Sequence, residues 1–239
     1  MKALILCAGF GKRMYPITLT TPKPLLPVNG RPLVLNIVDN LVDSGIRDIT
    51  LISNETHYSD YDALLEGYSC DKGCIMRLIS NGVTSPEGAL GAIADMALAV
   101  SKIGYDDDLL IVAGDSHISF SLKGFIDYYR KCGKCSVIVQ RVADPENLKR
   151  LGVAELDPAG RIVGFEEKPE HPKSEFAAYA TYVFTKDSLP WIEEYLKVGN
   201  PKDALGKIIG WFMGKTEVMG YVPEGDFVDI GTIETYKKL

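Results

Sequence analysis

Gly9 and Gly11 follow a short apolar run over 4–6, and two cations, Arg13 and Lys23, come after them. Glycines let backbone N–H groups approach an anion closely and nearby cations neutralise it, so these residues have the parts of a triphosphate cradle. Pro16, Pro22, Pro24 and Pro27 crowd the same stretch. Each fixes φ and removes an N–H donor, so no regular element can start there. A long, stiff, ordered loop is predicted, and such loops usually carry function. The same residues also fit a proline-braced surface loop with two solvated cations, and the loop by itself leaves both readings open. A dinucleotide fingerprint fits poorly, because Met14 stands where the third glycine belongs and no helix follows.

The elements that must hold this loop alternate. Strands are predicted over 4–6, 48–53, 75–79 and 109–112, and helices over 32–44, 58–67 and 89–101. This βα rhythm implies a mostly parallel sheet covered on both faces, with ligands at the carboxyl ends of its strands. Beyond residue 135 the pattern changes. Strands over 136–142, 152–157, 161–167 and 178–184 come in close succession, and Asp157-Pro158-Ala159-Gly160 has the chemistry of a hairpin turn. Helices over 189–198 and 203–213 and a strand over 216–222 complete the chain. With no repeat and no low-complexity linker, one domain over 1–239 is predicted, its second half partly antiparallel.

Composition narrows the partners. The chain has 239 residues, 46% hydrophobic and 24% charged, in the ordinary range for a globular domain. A net charge of -6 argues against non-specific binding to nucleic acid or to an anionic membrane, while leaving room for a small anion held by local cations. No apolar stretch reaches the length of a membrane helix and the start lacks a leader pattern, so a cytoplasmic protein is expected. Five cysteines are an odd count for a secreted disulfide scaffold. Cys70 and Cys74 with Cys132 and Cys135 make a conceivable four-thiolate zinc set, but the pairs lie far apart and the first spacing is unusual. Reduced, unconnected thiols are expected, with Cys7 a small buried filler.

The segment from Gly9 to Pro32, GFGKRMYPITLTTPKPLLPVNGRP, resembles nearly position for position the G-x-G-x-R-[ML]-x-P-x-T…P-K-P signature of the sugar-1-phosphate nucleotidyltransferases. Ala113-Gly114-Asp115, Leu151 to Glu155, Phe165-Glu166-Glu167-Lys168-Pro169 and Phe227 to Thr232 fall where that family has its other motifs, so the resemblance covers essentially the whole chain. It implies an α/β fold, a Rossmann-like three-layer sandwich with a mostly parallel mixed sheet and a small antiparallel substrate-facing portion. The nucleotide half is expected at about 1–115 and the acceptor half at about 116–239.

The resemblance also implies a reaction. A phosphomonoester oxygen, from a sugar 1-phosphate, attacks the α-phosphorus of a nucleoside triphosphate; pyrophosphate leaves and a nucleotide sugar forms. Bringing two anions together calls for cations and a divalent metal more than for an acid or base. Arg13 would hold the β- and γ-phosphates, Lys23 the α-phosphate region and Lys168 the attacking phosphate. Asp115 and Asp229 would share Mg²⁺, a hard ion taking oxygen ligands. Leu6, Ala8, Gly9 and Gly11 would line the nucleotide with Asn81 and Gly88, while Gly152, Glu167 and Ala180 would face the acceptor. Taken singly, Asp115 reads as a strand-end turn residue, Asp229 as a cap of the final helix and Lys168 as an exposed loop lysine; their co-occurrence with the opening signature favours the site.

Two stretches depart from the family pattern. In Pro86-Glu87-Gly88-Ala89-Leu90-Gly91-Ala92 the glycine that lets backbone approach a base is retained as Gly88, but the threonine after it is Ala89. Ala178-Tyr179-Ala180 stands where many members carry Asn-Ala-Gly, so a polar sugar contact is lost. A non-sugar phosphomonoester, such as a phosphorylated amine or polyol, is therefore an alternative acceptor, and a non-catalytic binding module is the alternative outside enzymes. No hexapeptide-repeat segment follows Asp229, so a lone transferase is expected. The base, the acceptor and homo-oligomeric assembly are left open.

Overall fold

Lys2–Leu6 has the sequence KALIL, and its three central residues are fully buried, as a strand covered on both faces requires. The computed structural model describes residues 1–68, 70 and 73–237, with the side chain of Asp229 outside what is described. This first strand, β1, sits between two parallel neighbours. The short hairpin β2 (Pro27–Val28) and β3 (Arg31–Pro32) comes next, then β4 (Asp48–Ser53), β5 (Ile75–Ser80) and β6 (Leu109–Ala113). Strands β6, β1, β4 and β5 lie side by side, all parallel.

The antiparallel portion joins at β6. After β7 (Ser116–Ile118) and β8 (Ser136–Arg141), strands β9 (Gly152–Leu156) and β10 (Ile162–Glu167) form the predicted hairpin, and β11 (Phe176–Phe184) bridges it to the parallel part. The sheet runs β10-β9-β11-β6-β1-β4-β5, with β8 on β11 and β12 (Met219–Tyr221) on β8. A two-stranded pair of β7 and β13 (Phe227–Asp229) stands apart from it.

Helices cover both faces. On one, α1 (Leu33–Asp43), α2 (Tyr58–Glu66) and α4 (Lys123–Cys132) supply Val34, Ile37, Leu41, Tyr61, Phe125 and Ile126 to a core with Ile5, Leu51 and Val112. On the other, α3 (Ala92–Ile103), α6 (Pro190–Lys197) and α7 (Lys207–Met213) pack Met96, Ile192, Ile209 and Phe212 against Leu4, Ile52, Ile111 and Phe184. The short helices are α5 (Pro145–Leu148) and α8 (Ile233–Tyr236). The three-layer α/β sandwich is thus present, with a mixed sheet.

Several sequence expectations need correction. No element was predicted over α4, whose apolar residues Phe125, Ile126 and Tyr129 form a narrow stripe on an otherwise polar helix. The helix predicted from 89 begins at Ala92, because Gly91 has φ of +97° and breaks the chain direction before it. The helix predicted from 203 begins at Lys207, after a segment held against the start of α3, where Ile93 N donates to Lys202 O at 2.8 Å. Thr232, not Asp229, caps α8, its Oγ1 accepting from Thr235 N at 3.2 Å.

The cysteines also differ from expectation. Cys70 and Cys74 form a disulfide with Cα atoms 5.9 Å apart, a separation that a tight turn reaches with four-residue spacing. Cys7, Cys132 and Cys135 are free, and among the described residues no group of three or more metal-binding side chains gathers. Cys135 is buried with its Sγ 3.3 Å from Ser188 Oγ, so hydroxyl contacts occupy it.

Candidate functional site

The carboxyl ends of β1 and β6 and the hairpin β9–β10 open onto one cleft of about 470 Å³. Leu6, Ala8, Gly9, Gly11, Arg13, Lys23, Asn81, Asp115, Gly152, Glu167, Lys168 and Ala180, all singled out in the sequence, line it. Gly88 does not; Ala89, Leu90 and Gly91 take that wall, and a Cβ at Gly91 would stand 2.5 Å from Asp203 Oδ1. The glycine at which the backbone is crowded in this segment is therefore Gly91. The Asp229 side chain lies outside the described residues.

The opening loop is ordered as its prolines require, turning through three single 3-10 turns over 12–14, 17–19 and 23–25. Gly11 adopts φ of +63°, and a Cβ there would lie 3.1 Å from Lys23 Cγ and 3.2 Å from Thr18 Cγ2. Only glycine fits that turn without strain. The loop then carries Arg13 out to solvent and folds Lys23 inward, where its Nζ donates to Asp115 Oδ2 at 3.1 Å. Asp115 follows β6 directly, and Gly114 N donates to Leu6 O at 2.9 Å, holding the ends of β6 and β1 together. Cys7 lines the cleft too, but burial, with Asp115 adding to it, pushes its thiol pKa far up, so the sulfur is no nucleophile.

Asn81 continues from β5 and is held at both ends of its amide. Its Nδ2 donates to Asp95 Oδ1 at 2.7 Å, and its Oδ1 accepts from Val83 N at 2.9 Å. Asp95, on α3, is buried, and burial raises its pKa against the opposing effect of the Asn81 bond, with Asp203 raising it further.

At the acceptor end, strand alternation along β10 aims Phe165 and Glu167 to one side, while Glu166 turns away to pair with Lys173. Burial lifts the Glu167 pKa, with Lys168 and Lys207 opposing. Gly152 and Gly206 leave room for this carboxylate: a Cβ on Gly152 would come within 2.6 Å of Phe165 Cζ, and one on Gly206 would collide with Glu167 Oε2. Lys168 sits just past the strand with φ of +51°, a conformation rarely adopted outside glycine, and its N donates to Leu151 O at 2.9 Å. Strain at a cleft-lining lysine is the pattern expected where side-chain aim matters more than backbone comfort. Ala178 and Ala180 pack toward the α3 side of the sheet and Tyr179 toward the other, its ring tilted against Phe227 with centroids 4.4 Å apart.

Sequence reasoning missed Arg150, Asp95, Gly91 and the segment Asp203 to Gly206, all of which line the cleft. Arg150 was legible as the cation two residues before Gly152. The other signal was an acid and a glycine just ahead of an apolar helical run at 207–213. Cations from both halves of the chain, Arg13 and Lys23 with Arg150 and Lys168, line one cleft together with the Asp115 carboxylate, a set that suits holding phosphate groups and a hard cation.

Residues 2–239 match the profile of the family described as nucleotidyl transferase. A glucose-1-phosphate thymidylyltransferase of Streptomyces antibioticus is 32% identical over 211 residues, covering 84% of this chain and 53% of the relative. A mannose-1-phosphate guanylyltransferase of Mycobacterium tuberculosis is 28% identical over 238 residues, covering 98% of this chain and 62% of the relative. The chain spans about half the length of the first curated relatives it matches. A solved structure of a Bacillus anthracis protein provisionally described as a glucose-1-phosphate thymidylyltransferase, in complex with sucrose, superposes with a TM-score of 0.83 at 27% identity. It covers 100% of this chain and 93% of that one. With the signature residues gathered on one cleft and the match running from residue 2 to residue 239, the chain belongs to the nucleotidyl transferase family.

Proposed function

We propose that this chain transfers a nucleoside monophosphate from a nucleoside triphosphate to a sugar 1-phosphate, releasing pyrophosphate and forming a nucleotide sugar. The observation that supports the reading is that the Gly9–Gly11 loop, Arg13 and Lys23 line the same cleft as Lys168 and Glu167, with Asp115 against Lys23. The nucleotide half is read as about 1–115 and the acceptor half as about 116–239. The Asp203 to Gly206 segment reaches back from the second half to wall the first.

In the proposed reaction an oxygen of the acceptor phosphate forms a bond to the α-phosphorus, and the bond to the β-bridging oxygen breaks with its electrons on pyrophosphate. Lys168 positions the attacking phosphate, Lys23 offsets charge at the α-phosphate, and Arg13 holds the β- and γ-phosphates. Glu167 accepts a hydrogen bond from an acceptor hydroxyl. Asp115 offers hard carboxylate oxygens beside the phosphate loop, a donor type that suits Mg²⁺, which needs only one or two carboxylates when phosphates complete its shell. Asp229 is read as the second ligand because β13 runs antiparallel to β7 with Asp229 opposite Ser116, and Ile230 N donates to Asp115 O at 3.1 Å. When bound, the ion would neutralise phosphate charge during transfer.

Ala178 and Ala180 favour a second reading of the acceptor, a smaller or less hydroxylated phosphomonoester such as a phosphorylated amine or polyol, since they put methyl groups on the pocket wall. The cytoplasm, where triphosphates are plentiful, is the proposed location, although the Cys70–Cys74 disulfide is a bond that compartment usually reduces. Among the described residues no helix is long and apolar enough to cross a membrane. The test is pyrophosphate release by the purified protein over four common triphosphates crossed with a panel of phosphomonoesters. No release from any sugar 1-phosphate with any triphosphate would overturn the proposed function.

A further inference from the structure

The phosphate loop is held from behind by two buried side chains outside the cleft lining. Asn54, fully buried in the turn between β4 and α2, donates from Nδ2 to Ala8 O at 3.1 Å, and its Oδ1 accepts from His57 N at 3.0 Å. Thr18, buried in the second 3-10 turn, donates from Oγ1 to Gly11 O at 2.8 Å. Tyr61 OH reaches Cys7 O at 3.4 Å. Three carbonyls of the loop are thus drawn toward the protein. Among the described residues, the backbone N–H groups of Gly9, Phe10 and Gly11 have no protein acceptor.

We infer that Asn54 and Thr18 are positioning residues for the triphosphate: by holding the carbonyls of Ala8 and Gly11 they turn the intervening N–H groups toward the cleft as an anion nest. The inference rests on the proposed function and adds to it the residues that fix the loop's orientation. A peptide plane has its C=O and N–H on opposite sides, so anchoring the carbonyl of Ala8 at Asn54 sets the direction of the Gly9 N–H. Successive N–H groups beside a residue in the left-handed region, here Gly11, form a concavity that binds phosphate oxygens. Such donors are effective because they need no reorganisation when charge arrives.

The turn that carries Asn54 is itself tied to the Asn81 wall. Glu55 N donates to Val83 O and Asn81 N to Ser53 O, each at 2.9 Å. Losing the Asn54 amide therefore frees the loop relative to that wall without touching Lys168 or Glu167 at the acceptor end.

The test uses inorganic tripolyphosphate as a base-independent probe and glucose 1-phosphate as the control, with affinities measured by calorimetry on the wild-type chain, Asn54→Ala and Thr18→Val. Each substitution is expected to weaken tripolyphosphate about 10-fold, equivalent to losing ~1.4 kcal/mol of binding, and to leave glucose 1-phosphate within about 2-fold. Equal weakening of both ligands, or tripolyphosphate affinity within about 2-fold of wild type in both variants, would overturn the inference. If Asn54→Ala fails to fold, Thr18→Val and the milder Asn54→Ser carry the same comparison. A wild-type chain that binds neither tripolyphosphate nor any nucleoside triphosphate would sink the underlying function along with it, whereas normal wild-type binding with unaffected variants sinks only this inference.

Discussion

Lys23 Nζ lies 3.1 Å from Asp115 Oδ2, joining two residues 92 positions apart, with the lysine side chain 8% exposed and the aspartate 30% exposed. The phosphate-binding lysine and the metal-binding carboxylate of the proposed function thus rest on each other. Removing Asp115 leaves a nearly buried ammonium without its partner, which for a fully buried pair costs about 3–5 kcal/mol. Because Asp115 is partly open to water, we expect about 1–2 kcal/mol for Asp115→Ala in chemical denaturation, and less for Lys23→Met.

The same pair makes a kinetic prediction. Lys23→Ala should lower kcat by about 100-fold or more while leaving the acceptor KM within a few-fold, since the proposed function has the lysine offset charge on the triphosphate during transfer. An effect confined to the acceptor KM, measured by steady-state kinetics, would contradict the assignment.

Gly152→Ala and Gly206→Ala should act on the acceptor alone. The first methyl meets the Phe165 ring and the second meets Glu167, so each displaces the carboxylate proposed to hold an acceptor hydroxyl. We expect acceptor KM to rise by about 10-fold or more with triphosphate KM nearly unchanged, and a stability loss of about 1–3 kcal/mol from overpacking. A rise in triphosphate KM instead would relocate these glycines to the other half of the cleft.

Asp95 should leave a signature in stability against pH. Its pKa is raised by burial, so the folded state binds its proton more tightly than the unfolded chain does. Folding stability should therefore fall as pH rises from about 4, the unfolded carboxyl value, through the raised folded value. Asp95→Asn, which cannot ionise, should lose this component. Thermal melts across that window test it: parallel profiles for the two proteins would show that Asp95 titrates normally.

Acceptor choice follows from the methyl groups at Ala178 and Ala180. A wall without a polar anchor should discriminate weakly among hexose 1-phosphates, so kcat/KM for glucose, mannose and galactose 1-phosphates is expected to agree within about 100-fold under the best triphosphate. A preference of about 1,000-fold for one epimer, near 4 kcal/mol, would show that another polar group of the cleft outweighs the two methyl positions.

The order of strands and helices was legible because apolar periodicity is a local property: β1 and β6 are buried on both faces and read as short apolar runs, β4 keeps Ile49, Leu51 and Ile52 around a buried Thr50, and α1 repeats at helical spacing. The opening loop was legible for the opposite reason, since its glycines and prolines rule out regular structure whatever surrounds them. Arg13, Lys23, Asp115, Glu167 and Lys168 were reached through their resemblance to ordered motifs. Their convergence on one cleft is a product of the sheet, which brings the ends of β1, β6 and β10 to the same side. What only the tertiary structure decided are the contacts between distant segments. The Lys23–Asp115 pair, the Asn54 bond to Ala8 O and the packing of Asp203 against Gly91 each join residues separated by dozens of positions. No local pattern encodes such a pairing, because a side chain's partner is set by which strands become neighbours. The crowding at Gly91 was illegible for the same reason: the atoms that crowd it belong to Lys202 and Asp203, distant in sequence and adjacent in space.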